Sequence, residues 1–127
     1  MIGSGLAQTR WLSPNPTQAR RELLALLRGS GWPGDVEGVC LAVHEAIMNS
    51  ERHAGGATSA VARTNGQTLV VEVHDAGPGF DIDRYADRPP EPLAEQGRGL
   101  WLISQIADGW QVDRSGGKTR LQLTFVP

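Results

Sequence analysis

An α/β (α+β) chain is predicted by three observations: helical periodicity over residues 16–28 and 35–54, β-branched alternation over 57–64 and 68–75, and a second alternating pair near the C-terminus. Each element has its own local signal. Asn15 and Pro16 form a helix entrance, because an asparagine side chain accepts from free N–H groups and proline tolerates the first helical position. Ala19, Leu23, Leu26 and Leu27 then recur at three- and four-residue steps as one inward stripe, with Gly29 placed at the C-terminal turn. Ala7 to Leu12 reads as a short edge strand. The second helix sets Val36, Val39, Val43, Ile47 and Ser50 on one side and Leu41, Glu45, Met48 and Asn49 on the other. One face is therefore expected to pack on a sheet while the other lines a pocket.

Asn65-Gly66 is a tight-turn dipeptide joining two strands into a hairpin. The second strand ends on Asp75, where Gly77-Pro78-Gly79 forces a bend. Residues 80–96 include Asp81, Asp83, Asp87 and three prolines, keep neither period, and read as a mobile loop. Gly97-Arg98-Gly99 opens a third helix with Leu100, Ile103 and Ala107 inward and Gly109 at its end. Trp110 to Arg114 and Thr119 to Phe125 close the chain as a hairpin about Gly116-Gly117. Cys40 and the four tryptophans are expected in core or half-buried positions.

At 127 residues, the chain is expected to form one domain over 1–127. Twelve basic against fourteen acidic residues give a net charge of -2, so no sequence-wide positive field holds a nucleic acid. Leu23 to Leu27 is as long an apolar run as any, far short of the ~20 residues a membrane helix needs. A soluble, cytoplasmic chain without nucleic-acid or membrane partners is the expectation. A single cysteine closes no internal disulfide.

Two familiar motifs fail. Gly117-Lys118-Thr119 lacks the P-loop's earlier glycine, where Val112 stands, and a strand follows it; Gly97-x-Gly99 has Leu102 in place of a dinucleotide fingerprint's third glycine. His44, His53 and His74 show no metal-site spacing. What remains is an ordered set: Glu45 and Asn49 one helical turn apart, Asp75-x-Gly77-x-Gly79 leaving a strand, and Gly97-x-Gly99-Leu100 opening a helix. Together these fit a nucleotide. An adenine amino group needs a fixed carboxylate acceptor such as Asp75, with Gly79 letting backbone approach the ring. Phosphates need the N–H groups of a helix start, which Gly97 to Leu100 supply. Magnesium takes hard oxygens and keeps several waters, so the Asn49 amide oxygen suits it, and Glu45 is left as a general base.

Through Glu45-Ala46-Ile47-Met48-Asn49, Asp75-Ala76-Gly77-Pro78-Gly79 and Gly97-Arg98-Gly99-Leu100, the sequence resembles the GHKL (Bergerat-fold) ATPase superfamily, which includes histidine kinase catalytic domains and gyrase. The form His44-Glu45-Ala46-x-x-Asn49-x-x-x-His53-Ala54 looks most like its anti-sigma-factor serine/threonine kinases. The resemblance implies a two-layer sandwich, a mixed, mostly antiparallel sheet covered on one face by about three helices. It implies ATP and Mg2+, with Asn49 holding the metal, Asp75 the adenine amino group, Gly77 and Gly79 the ring's edge, and Gly97 with Gly99 the phosphates under a lid at about 80–96. Glu45 would accept the proton of a substrate serine or threonine. Arg98 is placed either on phosphate or as a solvated charge at the lid edge. The implied partners are an anti-sigma-factor antagonist as substrate, a sigma factor, and a second copy pairing through Gln8 to Leu27. An ATP-dependent binding switch and a detached histidine-kinase catalytic domain are the alternative functions. Glu51 departs from the pattern by adding an acid near Asn49, and is expected to point to solvent.

Overall fold

The computed structural model describes residues 7–78, 82–86 and 97–127. Its elements run β1 (Gln8–Leu12), α1 (Pro16–Ser30), α2 (Val36–Ala54), β2 (Ala57–Thr64), β3 (Leu69–Asp75), α3 (Asp83–Ala86), α4 (Arg98–Ile106), β4 (Gly109–Ser115) and β5 (Lys118–Phe125). The strands form one sheet in the order β1-β2-β3-β5-β4. All four pairings are antiparallel, so the sheet is not mixed. The physical reason is connectivity: β2–β3 and β4–β5 are hairpins, the chain through α1 and α2 brings β2 back antiparallel to β1, and β5 lies between β3 and β4, antiparallel to both.

Both long helices begin as their sequences predict. Asn15 Oδ1 accepts from Gln18 N at 3.0 Å, and Asp35 Oδ1 accepts from Gly38 N at 3.0 Å. Gly29 does not end α1. The helix continues through Ser30, and Gly31, at φ 67°, forms the left-handed cap whose N–H bonds back to Arg28 O and Leu27 O. Packing explains the extra residues, since Leu27 and Trp32 are both buried, and Trp32 Nε1 reaches Gln67 O across the β2–β3 turn. Gly109 likewise belongs to β4, and Ala107 is the cap of α4.

Strand alternation places one face of the sheet under the helices. Ala60, Ala62, Leu69, Val71, Val73, Leu121, Leu123 and Phe125 join Leu23, Leu27, Val43, Ile47 and Ile103 in one buried cluster. Helix α2 touches α1, α4, β2 and β3, and so occupies the centre of the helical layer. The aperiodic stretch before Gly97 contains the short helix α3, anchored by the buried Ile82 and by a 2.9 Å bond from Trp110 Nε1 to Asp83 Oδ1. Trp32 is buried, and Trp101 and Trp110 are half-buried. Trp11 breaks the expectation at 65% exposure, because β1 is an edge strand and the residue belongs to the uncovered face.

That uncovered face carries charge. Glu72 accepts from Arg63 Nη1 at 3.0 Å and lies 3.1 Å from His74 Nε2, while Arg120 pairs with Asp113. Burial opposes ionisation of Glu72, but the hydrogen bonds from His74 and Arg63 and the field of Arg63 and Arg120 outweigh it and hold its carboxyl below the usual range. A depressed folded value means the carboxylate stabilises the fold above the unfolded pKa, about 4.3, and loses that contribution as pH falls through the folded one. Chemical denaturation of wild type and Glu72→Gln should therefore differ at pH 7, with the gap closing below about pH 4. A pH-independent gap would show that the ionised form contributes nothing.

Candidate functional site

Helix α2, the end of β3 and the start of α4 meet at one end of the sheet. Asp75, the last residue of β3, is only 5% exposed. Its Oδ2 accepts from Ser50 Oγ of α2 at 2.8 Å, and its Oδ1 accepts from Gly77 N at 2.9 Å. A buried carboxylate must be hydrogen-bonded, and two donors meet that need. Gly77 is itself held, since its carbonyl accepts from Thr119 Oγ1 at 2.7 Å. A Cβ on Gly77 would stand 2.5 Å from Ala54 Cβ and 3.2 Å from Ala54 Cα. The glycine lets the bend after β3 press against the C-terminal turn of α2.

At the other wall, Glu45 reaches the start of α4. Its Oε2 lies 2.8 Å from where a Cβ on Gly99 would be, so the carboxylate packs against bare backbone. Gly97, at φ 89°, is in the left-handed region that glycine adopts freely, and it is the N-cap of α4 without any side-chain cap. The first bond of the helix runs from Trp101 N to Gly97 O at 2.8 Å. Helix geometry turns the amides ahead of it, those of Gly99 and Leu100 among them, outward from the helix end. The Leu100 side chain is buried in the core, which leaves its backbone as the part facing the site. Arg98 is exposed at the same helix start.

Asn49 lies between these walls on α2, 6% exposed, and its buried Nδ2 has no hydrogen-bond partner among the described residues. A buried amide left without a partner costs stability and marks a place for a ligand atom. Rotation by half a turn about the last side-chain bond would present Oδ1 there instead, the hard oxygen that Mg2+ prefers. Among the described residues no three His, Cys, Asp or Glu side chains come together as a metal cage. A divalent ion at Asn49 would thus draw its remaining oxygens from phosphates and water, and the residues fit that arrangement. Glu51 is exposed, as expected for an acid pointing to solvent.

Glu45, Asn49, Asp75, Gly77, Gly97, Gly99 and Leu100 thus come together on three neighbouring elements. Gly79 lies outside the described residues, as does most of the expected lid. Sequence reading missed Ser50 and Thr119. Ser50 falls within an inward apolar stripe, and a hydroxyl at such a position demands a partner; the carboxylate at the end of β3 is that partner. Strand register pairs Thr119 with Asp75, a relation that no single-strand pattern reveals. A cavity of about 270 Å³, lined by Arg63, Asn65 and Val70 among others, opens at the opposite end of β3 and holds none of these residues.

An antiparallel sheet layered with helices, with an acid and an asparagine one turn apart facing a glycine-flanked helix start, defines an ATPase domain of the histidine kinase type. The chain belongs to the family described as histidine kinase-like ATPase domain, whose match spans residues 14–125, and thus to the GHKL superfamily that its motifs resemble. Serine-protein kinases RsbW of Bacillus cereus and Bacillus thuringiensis are each 29% identical to it, over 72% of this chain and 65% of theirs. The chain thus spans about two thirds of the length of these curated relatives. The histidine kinase AdeS of Acinetobacter baumannii shares the fold, with a TM-score of 0.53, 12% identity and coverage of 94% of this chain and 67% of that one.

The two close approaches make different demands on a methyl group. In Gly77→Ala the new Cβ meets Ala54, including its backbone, so something rigid must shift. In Gly99→Ala it meets the far end of Glu45, which can swing away. Urea titration should show Gly77→Ala losing roughly 1–3 kcal/mol and Gly99→Ala clearly less. Equal losses would place the Glu45 carboxylate in a rigid seat.

Proposed function

We propose that this chain binds Mg-ATP and acts as a serine/threonine protein kinase of the anti-sigma-factor type. Its substrate is a small anti-sigma-factor antagonist, and its phosphorylation controls sigma-factor-dependent transcription. The observation that carries this reading is the meeting of Glu45 with the Gly97–Leu100 helix start, one helical turn from a buried Asn49 whose Nδ2 has no partner among the described residues, on the helix that pins Asp75 through Ser50. The relatives named serine-protein kinase RsbW support the choice of serine or threonine as acceptor.

In this reading the Asp75 carboxylate accepts from the adenine amino group, and the bare backbone at Gly77 and Gly79 admits the ring. The N–H groups at Gly97, Gly99 and Leu100 receive the phosphates, with the Arg98 guanidinium beside them, because a helix start carries partial positive charge. Asn49 would hold Mg2+, which when bound neutralises phosphate charge. Glu45 accepts the proton of the attacking serine or threonine hydroxyl as its oxygen bonds to the terminal phosphorus and the bond to ADP breaks. Residues around 80–96 act as the lid. A sigma factor is a further partner, and a second copy pairs through Gln8 to Leu27. No described helix is long and apolar enough to cross a membrane.

Calorimetry and phosphotransfer assays separate these roles. Glu45→Ala should keep ATP affinity within a few-fold while transfer to the antagonist falls about 10²- to 10⁴-fold. Asn49→Ala should lose the part of ATP affinity that depends on magnesium. Full transfer by Glu45→Ala would remove Glu45 as the base, and identical magnesium dependence in Asn49→Ala would move the metal elsewhere.

A further inference from the structure

We infer that Ser50 is a specificity-determining positioning residue, whose hydroxyl turns the Asp75 carboxylate into a fixed acceptor that selects a 6-amino purine over a 6-oxo purine. The inference rests on the nucleotide reading above and deepens it.

Ser50 is 1% exposed, so its hydroxyl must find its partner within the protein. Two acceptors lie in reach: Asp75 Oδ2 at 2.8 Å and Ala46 O, one turn back on α2, at 3.5 Å. The shorter bond is to the carboxylate, and a hydroxyl has one proton to give. Gly77 N takes up the other carboxylate oxygen. Neither oxygen can turn without breaking a buried bond, because Gly77 is wedged against Ala54 and tied to Thr119. What remains on Asp75 is lone pairs in a set direction. An N–H arriving there is accepted, whereas a carbonyl meets negative charge with no proton between them. Rejection of a mismatched group is strong only where the polar site cannot rearrange, and Ser50 supplies that rigidity from α2, a different element from the strand that carries Asp75.

Removal of the hydroxyl should therefore cost affinity for one base and not the other. The probes are ADP and inosine diphosphate, which differ in the group at position 6 and the proton at the adjoining ring nitrogen, measured by calorimetry in magnesium buffer. Wild type should prefer ADP by at least about tenfold. Ser50→Ala should weaken ADP about tenfold, leave inosine diphosphate nearly unchanged and so narrow the preference, while Ser50→Thr restores the hydroxyl and the preference. Should the alanine variant not fold, Ser50→Cys, close in size and a weak donor, carries the same comparison. Equal weakening of both nucleotides, an undiminished preference in the alanine and cysteine variants, or a threonine variant that behaves like alanine would each overturn the inference while the nucleotide reading stood. Failure of wild type to bind ADP at all would overturn that reading and the inference together.

Discussion

A carboxylate taken out of water is among the most expensive things a small fold can hold, and Asp75 is held by two short hydrogen bonds from different parts of the chain. One comes from Ser50 on α2 and the other from the Gly77 backbone just beyond β3. The bond to Ser50 joins residues 25 positions apart and fixes the central helix to the sheet at the level of the site. Because α2 also carries Asn49, the neighbour of Ser50, and Glu45 one turn before Asn49, its seating on Asp75 sets where those side chains stand relative to α4. Thr119 completes the arrangement by holding the Gly77 carbonyl, so β5 joins the support.

The rest of the site depends on the closeness of backbones. Gly77 meets Ala54 and Gly99 meets the Glu45 carboxylate at separations that leave no room for a methyl group. Such contacts bring the end of a strand and the start of a helix within reach of one helix face, and they leave main-chain N–H groups uncovered by side chains. The buried Nδ2 of Asn49, without a partner among the described residues, costs stability in the protein alone. Nucleotide binding would recover that cost, which is why the buried Nδ2 of Asn49 supports the proposed use of the site.

The two faces of the sheet have separate tasks. The covered face is apolar from Ala60 to Phe125 and carries the core. The open face has Glu72 between Arg63 and His74, Arg120 against Asp113, and Trp11 exposed near its edge. Strand alternation alone produces this division, since each step along β3 sends one side chain to the helices and the next to the other face.

Local patterns in the sequence determined most of the elements and named most residues of the candidate site. The Asn15 cap, the Asn65-Gly66 turn and the inward stripes of α1 and α4 each act within a few residues, and local chemistry of that kind is legible without a fold. The candidate residues were legible because their chemistry restricts them to a few side chains at set spacings. Helix ends were less so: Gly29 and Gly109 read as stops, but packing of Leu27 and Trp32 carries α1 on to the Gly31 cap, and Gly109 pairs with Thr124 in β4. The fully antiparallel sheet, the exposure of Trp11 and the Ser50–Asp75–Gly77–Thr119 chain of hydrogen bonds were decided by tertiary structure alone. Each depends on which strands lie side by side and in what register, and that is set by packing between segments tens of residues apart, a relation no window along the chain contains.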